Sequence, residues 1–155
     1  MKNWVKAIIC IAIPEVVGAT AGFFTIPEVK GWYRTINKPA FNPPDYVFGP
    51  VWTTLYLLMG VSLYLVWRSG SENKRPAIIL WSLQLLFNFL WSFIFFNQHN
   101  IALALAEIGM LWLFILFTII AFYKISRTAA WLMVPYILWV AFAAVLNYSI
   151  WRLNP

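Results

Sequence analysis

Five separate runs of about twenty apolar residues recur along the chain, each long enough to cross a hydrocarbon core of about 30 Å as a helix. They cover residues 4–25, 47–67, 77–96, 101–123 and 129–151. The breaks fall at 26–46, 68–76, 97–100 and 124–128. In lipid the backbone must satisfy its own hydrogen bonds, so runs of this kind are predicted to be helices. The expected fold is an all-α integral membrane protein, a five-transmembrane-helix bundle. Spans and connections account for the whole length, so residues 1–155 are expected to form a single membrane domain.

Composition supports this reading. Hydrophobic residues make up 63% and charged residues 10%, against about 25% charged in a soluble domain. One cysteine and one histidine exclude an intrachain disulfide framework and a familiar His/Cys metal cluster. The net charge of +6 is scattered over short connections. It fits topology and lipid headgroups rather than nucleic acid. The first apolar run is interrupted by Pro14, Glu15 and Gly18, and no clear cleavage site follows, so a removed signal peptide is not expected.

Five spans put the two termini on opposite sides. Lys2, Lys6, Arg68, Lys74, Arg75, Lys124 and Arg127 then share the N-terminal face, against Lys30, Arg34, Lys38 and Arg152 on the other. That bias predicts a cytoplasmic N-terminus. The long first connection and the C-terminus share the opposite face. Trp4, Trp67, Trp131 and Trp151 lie near span ends and read as an interfacial belt.

The first connection differs from the rest of the chain. It carries Trp32-Tyr33-Arg34, then Lys38-Pro39-Ala40-Phe41-Asn42-Pro43-Pro44, and enters the second span through Gly49-Pro50-Val51-Trp52. Its prolines restrict φ and disfavour helix. Its aromatics give it side chains to bury. A long ordered loop of this kind is predicted, packed as a lid rather than a tether.

Several helix faces carry polar or small residues. Glu15, Gly18 and Gly22 share a face of the first span, which reads either as a packing groove within the bundle or as a homodimer seam. Gln84, Asn88 and Trp91 share a face of the third, which reads as either helix–helix glue or the wall of a cavity. Trp52, Tyr56 and Gly60 align on the second span, and Trp139, Ala143, Leu146 and Asn147 on the fifth. Trp139 lies about 18 Å from the Trp151 end, too deep for a belt. Glu107 interrupts the fourth span and needs a polar partner. Acid–base catalysis by Glu15 and Glu107 would require the two to converge. Together these faces predict an aromatic-walled pocket beneath the first loop, suited to a flat apolar ligand.

The motifs Trp32-Tyr33, Lys38-Pro39, Pro43-Pro44, Gly49-Pro50-Val51-Trp52-x-x-Leu55-Tyr56, Asn88-x-x-Trp91, Pro135-Tyr136-x-x-Trp139-x-x-Phe142 and Leu146-Asn147-Tyr148-x-x-Trp151 run over nearly the whole chain. In them the sequence resembles the translocator protein family, also called tryptophan-rich sensory proteins or peripheral-type benzodiazepine receptors. The resemblance implies a five-helix bundle, usually a homodimer, that binds porphyrins such as protoporphyrin IX, sterols and benzodiazepine-site drugs. The ligand-binding residues it implies here are Tyr33, Trp52, Asn88, Trp91, Trp139, Ala143 and Leu146. Some bacterial members are associated with light- and oxygen-dependent porphyrin breakdown, and Trp52 and Trp139 would then be the catalytic residues. No cofactor motif is visible; the excited porphyrin itself would supply the reactivity. The family's sterol pattern maps to Leu146, Tyr148 and Arg152, with an interfacial anchor as the other reading. A porphyrin or sterol transporter is the alternative function. The short C-terminus resembles bacterial cell-membrane members.

Overall fold

The computed structural model describes residues 2–155 and is all-helical among them. The helices are α1 (Asn3–Lys30), α2 (Trp32–Thr35), α3 (Asp45–Trp67), α4 (Lys74–Ser92), α5 (Ile101–Tyr123), α6 (Arg127–Leu132) and α7 (Val134–Leu153). A π-helical segment, Phe93–Asn97, continues α4. Five of these units are long and apolar enough to cross a membrane, with α1–α2, α4 plus the π segment, and α6–α7 each counting as one. The chain is a five-helix membrane bundle.

α1 and α3 approach closely because glycine faces backbone. A Cβ on Gly60 would lie 2.6 Å from the Ile11 Cα and 2.8 Å from the Cys10 carbonyl oxygen. That carbonyl is the one a residue at position 14 would normally bond, and Pro14 has no N–H to offer it. On the other side of the seam, a Cβ on Gly18 would collide with the Tyr56 ring. The Gly18 face is therefore a packing groove filled from within the chain. Gly22, one turn on, has open space before it.

Three boundaries differ from those expected. α1 does not stop at Thr25 but runs through Pro27 to Lys30, where the Gly31 N–H bonds the Pro27 oxygen at 2.9 Å. Its last turns are held from outside: Asn97 Nδ2 donates to the Phe24 oxygen at 3.0 Å. The 26–46 connection therefore shortens to the stretch between α2 and α3. α4 ends in a π turn, with the Gln98 N–H reaching the Phe93 oxygen at 3.1 Å. That extra residue per turn buries Phe95 among Trp91, Trp32 and Tyr33. His99 takes φ 53° to reverse the chain, and Asn100 caps α5 by accepting from the Leu103 N–H at 3.0 Å. The fifth span breaks at Met133, two residues before Pro135, which occupies the first turn of α7.

Candidate functional site

A cavity of about 660 Å³ opens between α1, α3, the end of α4 and α7. Helical spacing explains its walls. On α1, Glu15, Gly18, Gly22, Thr25, Ile26 and Val29 continue one face over four turns. On α7, Trp139, Phe142, Ala143, Leu146, Asn147 and Ile150 do the same. α3 contributes Phe48, Gly49, Trp52, Thr53 and Tyr56, and the α4 end contributes Trp91, Ser92, Phe95 and Phe96.

The aromatic wall is braced. Trp52 stacks on Tyr56 at 5.5 Å between centroids and meets the edge of Tyr136 at 6.3 Å. Trp139 packs against Phe142 at 5.5 Å and Phe48 at 6.4 Å. Trp91 stacks on Phe95 at 5.3 Å. Its indole N–H donates to Asn147 Oδ1 at 3.1 Å, while Asn147 Nδ2 donates to the Ile101 oxygen at 3.1 Å. One amide thus ties together α4, α5 and α7.

Six of the seven expected ligand residues line this space: Tyr33, Trp52, Trp91, Trp139, Ala143 and Leu146. Asn88 does not. It is buried one layer behind, where its Oδ1 accepts from the Tyr56 hydroxyl at 2.6 Å and its Nδ2 donates to the Tyr136 hydroxyl at 3.0 Å. Both tyrosines back Trp52, so Asn88 reaches the cavity through its neighbours. Gln84, also fully buried, contacts Met59 Sδ at 3.8 Å and lies off the cavity. The third-span stripe is therefore glue at Gln84 and Asn88 and wall at Trp91. Of the sterol-pattern residues, only Leu146 faces inward. Tyr148 is exposed beside Trp151, and Arg152 is exposed. Glu15 lines the cavity, whereas Glu107 is buried elsewhere with both carboxyl oxygens unpartnered among the described residues. The two carboxyls do not share a site.

The lid is packed and clasped. The Tyr33 hydroxyl donates to Asn42 Oδ1 at 2.6 Å, and Phe41 meets Phe142 edge-on at 6.3 Å. Asn37 and Asn154 hold each other through the Asn37 N–H to Asn154 Oδ1 at 3.0 Å and Asn154 Nδ2 to the Asn37 oxygen at 2.9 Å. The first loop and the C-terminus thus meet on one face. Lys38 is occupied by the Tyr33 and Ile36 oxygens, at 2.6 and 3.0 Å. At the cavity mouth stand Lys30 and Arg34, the latter 3.5 Å from Asp45. Lys30 and Glu15 are fifteen residues apart on α1, about 22 Å along the axis. The space therefore carries Lys30 and the Arg34–Asp45 pair at the lid end, aromatic rings in the middle and the Glu15 carboxyl at the far end.

Sequence reasoning passed over Phe48, Phe95, Phe96 and Lys30. The Glu15–Gly18–Gly22 stripe, extended by its own period, leads to Val29 and the edge of Lys30. Ending α1 at Thr25 hid that signal.

The model of the TspO/MBR family matches residues 10–152. The chain is 39% identical to the tryptophan-rich protein TspO of Chlorobaculum tepidum, over 99% of both chains. It is 39% identical to the tryptophan-rich sensory protein of Cereibacter sphaeroides, over 88% of this chain and 84% of that one. It is 36% identical to the human translocator protein, over 97% of this chain and 91% of the relative. With a family match spanning nearly the whole bundle and all the cavity walls, the chain belongs to the TspO/MBR family.

Proposed function

We propose that this chain binds a tetrapyrrole such as protoporphyrin IX in the cavity beneath the lid, with benzodiazepine-site drugs as competitors for the same space. The observation that carries this reading is the wall formed by Trp52, Trp91 and Trp139 around one cavity whose mouth holds Lys30 and Arg34. A porphyrin is a large flat apolar ring with carboxylates along one edge. The ring gains dispersion and stacking energy on indole faces, and the carboxylates find Lys30 at the lid end, beside an Arg34 that is shared with Asp45. Tyr33, Ala143 and Leu146 complete the wall around the ring, while Asn88 holds the tyrosines behind Trp52.

Light-dependent breakdown of the bound ring is the second reading. It is favoured by the position of Trp52 and Trp139 on the same cavity, where both are available as electron-rich partners of an excited porphyrin in the presence of oxygen. The N-terminal excess of Lys and Arg supports a cytoplasmic N-terminus in a cell membrane. Assembly as a homodimer belongs to the same reading.

Purified protein in detergent is titrated with protoporphyrin in the dark by tryptophan quenching, then illuminated while the porphyrin bands are followed. Saturable quenching is expected. Bleaching faster than that of free porphyrin, slowed by Trp52→Phe or Trp139→Phe with binding retained, supports photochemistry. Bleaching at the free rate leaves a binder. Absence of saturable quenching refutes the tetrapyrrole reading.

A further inference from the structure

The cavity beneath the lid ends on a carboxyl. Glu15 lines it at the end away from Lys30. One turn further along α1 the space closes, because Gly60 of α3 lies against the α1 backbone: a Cβ there would be 2.6 Å from the Ile11 Cα. Glu15 therefore marks a blind end rather than a passage. The residue is partly buried.

Its depth makes it costly. The first apolar run covers residues 4–25, and Glu15 lies at the middle of that run. A carboxyl so deep in hydrocarbon faces the bundle interior or a cavity and needs a partner. Among the described residues the ion pairs are Arg34–Asp45 and His99–Glu28, and no side chain donates a hydrogen bond to Glu15. The hydroxyls of the neighbouring wall are engaged elsewhere. Tyr56, whose ring fills the face that Gly18 leaves bare one turn along, gives its hydroxyl to Asn88 Oδ1 at 2.6 Å. The Thr53 hydroxyl goes to the Gly49 oxygen at 3.0 Å, and that of Ser92 to the Asn88 oxygen at 3.5 Å. The wall thus spends these donors on itself and leaves the carboxyl free. Glu107, the other intramembrane carboxyl, is shut inside the bundle, whereas Glu15 opens on about 660 Å³ of space that a ligand can enter.

Given the reading of this cavity as a site for flat ring systems, we propose that Glu15 is a specificity-determining contact. It selects ligands that carry a cationic nitrogen with an N–H at their inner end. The ring lies on the indoles of Trp52 and Trp139, whose faces also favour a cation. The N–H donates to the Glu15 carboxylate, a charge-assisted bond in an apolar surround. Protoporphyrin IX has carbon substituents on the edge opposite its carboxylates, so it satisfies the lid end and leaves Glu15 unpaired. A flat ring with a basic nitrogen on that edge satisfies both ends.

The test uses the full chain in nonionic detergent near neutral pH. The probes are 9-aminoacridine, a planar cation, and acridine, its neutral counterpart, each followed by tryptophan quenching. The native chain is expected to bind aminoacridine roughly tenfold or more tighter than acridine, the effect of one charge-assisted hydrogen bond. Glu15→Gln, which keeps the shape and loses the charge, should remove that preference. Glu72→Gln, on the exposed connection between α3 and α4, should keep it. Ala143→Trp, which fills the cavity, should abolish saturable aminoacridine binding. Equal affinity of the native chain for the two probes, a preference that survives Glu15→Gln, or saturable aminoacridine binding in Ala143→Trp overturns the proposal. Protoporphyrin is titrated in parallel. A Glu15-dependent preference without saturable protoporphyrin quenching removes the tetrapyrrole reading and upholds the Glu15 contact. Saturable protoporphyrin quenching without that preference does the reverse.

Discussion

Asn88 spends its amide on two tyrosines rather than on the cavity, and that choice has measurable consequences. Replacing it with leucine leaves the Tyr56 and Tyr136 hydroxyls without their partner in the bundle core. Unpaired buried groups of this kind cost about 1–3 kcal/mol. Asn88→Leu is therefore expected to lower the thermal midpoint in detergent and to weaken porphyrin binding through Trp52, with Tyr136→Phe milder on both counts. Unchanged stability with lost binding would instead make Asn88 a direct ligand contact. Glu107 is the opposite case, a buried carboxyl without hydrogen-bond partners among the described residues. Glu107→Leu should raise the midpoint, by about 1 kcal/mol or more in stability. A lower midpoint would mean that the carboxyl has a partner in the membrane. The sequence disclosed that both residues are costly in lipid. It did not disclose their partners, because helix rotation about the axis decides whether an amide meets a tyrosine or a ligand.

At the scale of helices, the two glycine environments on α1 and α3 predict contrasting variants. Gly60→Val drives a side chain into the backbone of α1 and should abolish the folded monodisperse protein. Gly22→Leu enters open space and should preserve the fold while shrinking the cavity. Thermal melts and dark porphyrin titration separate the two. Unimpaired binding in Gly22→Leu would show that the ligand does not use that side. The lid is likewise an element, clasped to the C-terminus through Asn37. Asn154→Ala removes two of the bonds that hold Asn37, leaving that of Asn37 Nδ2 to the Leu153 oxygen at 3.2 Å, and should speed ligand release more than it slows capture, read by stopped-flow quenching; an unchanged release rate would separate the clasp from gating. Length and hydropathy were enough to find the spans. The π turn after Ser92 and the extension of α1 to Lys30 were not legible, since both are fixed by tertiary partners such as Asn97 and the aromatic cluster around Phe95.

For the whole molecule, the five-helix count and the shared face of the first loop and the C-terminus were readable from one sequence, and six of the seven residues expected at a ligand line the cavity. Periodicity puts Trp52, Trp139 and Leu146 on single faces, and only three-dimensional packing turns those faces towards one another. The bundle as packed has two separate cavities, one aromatic with Lys30, Arg34 and Asp45 at its mouth and one apolar. Ligand binding in the first is tested by dark protoporphyrin titration of the native chain beside Ala143→Trp, which fills the cavity from α7 without removing any aromatic wall. Saturable one-to-one quenching by the native chain is expected, with loss of that saturation in a variant that still melts cooperatively. Equal affinity in the two proteins would contradict it, because the porphyrin would then be bound somewhere else.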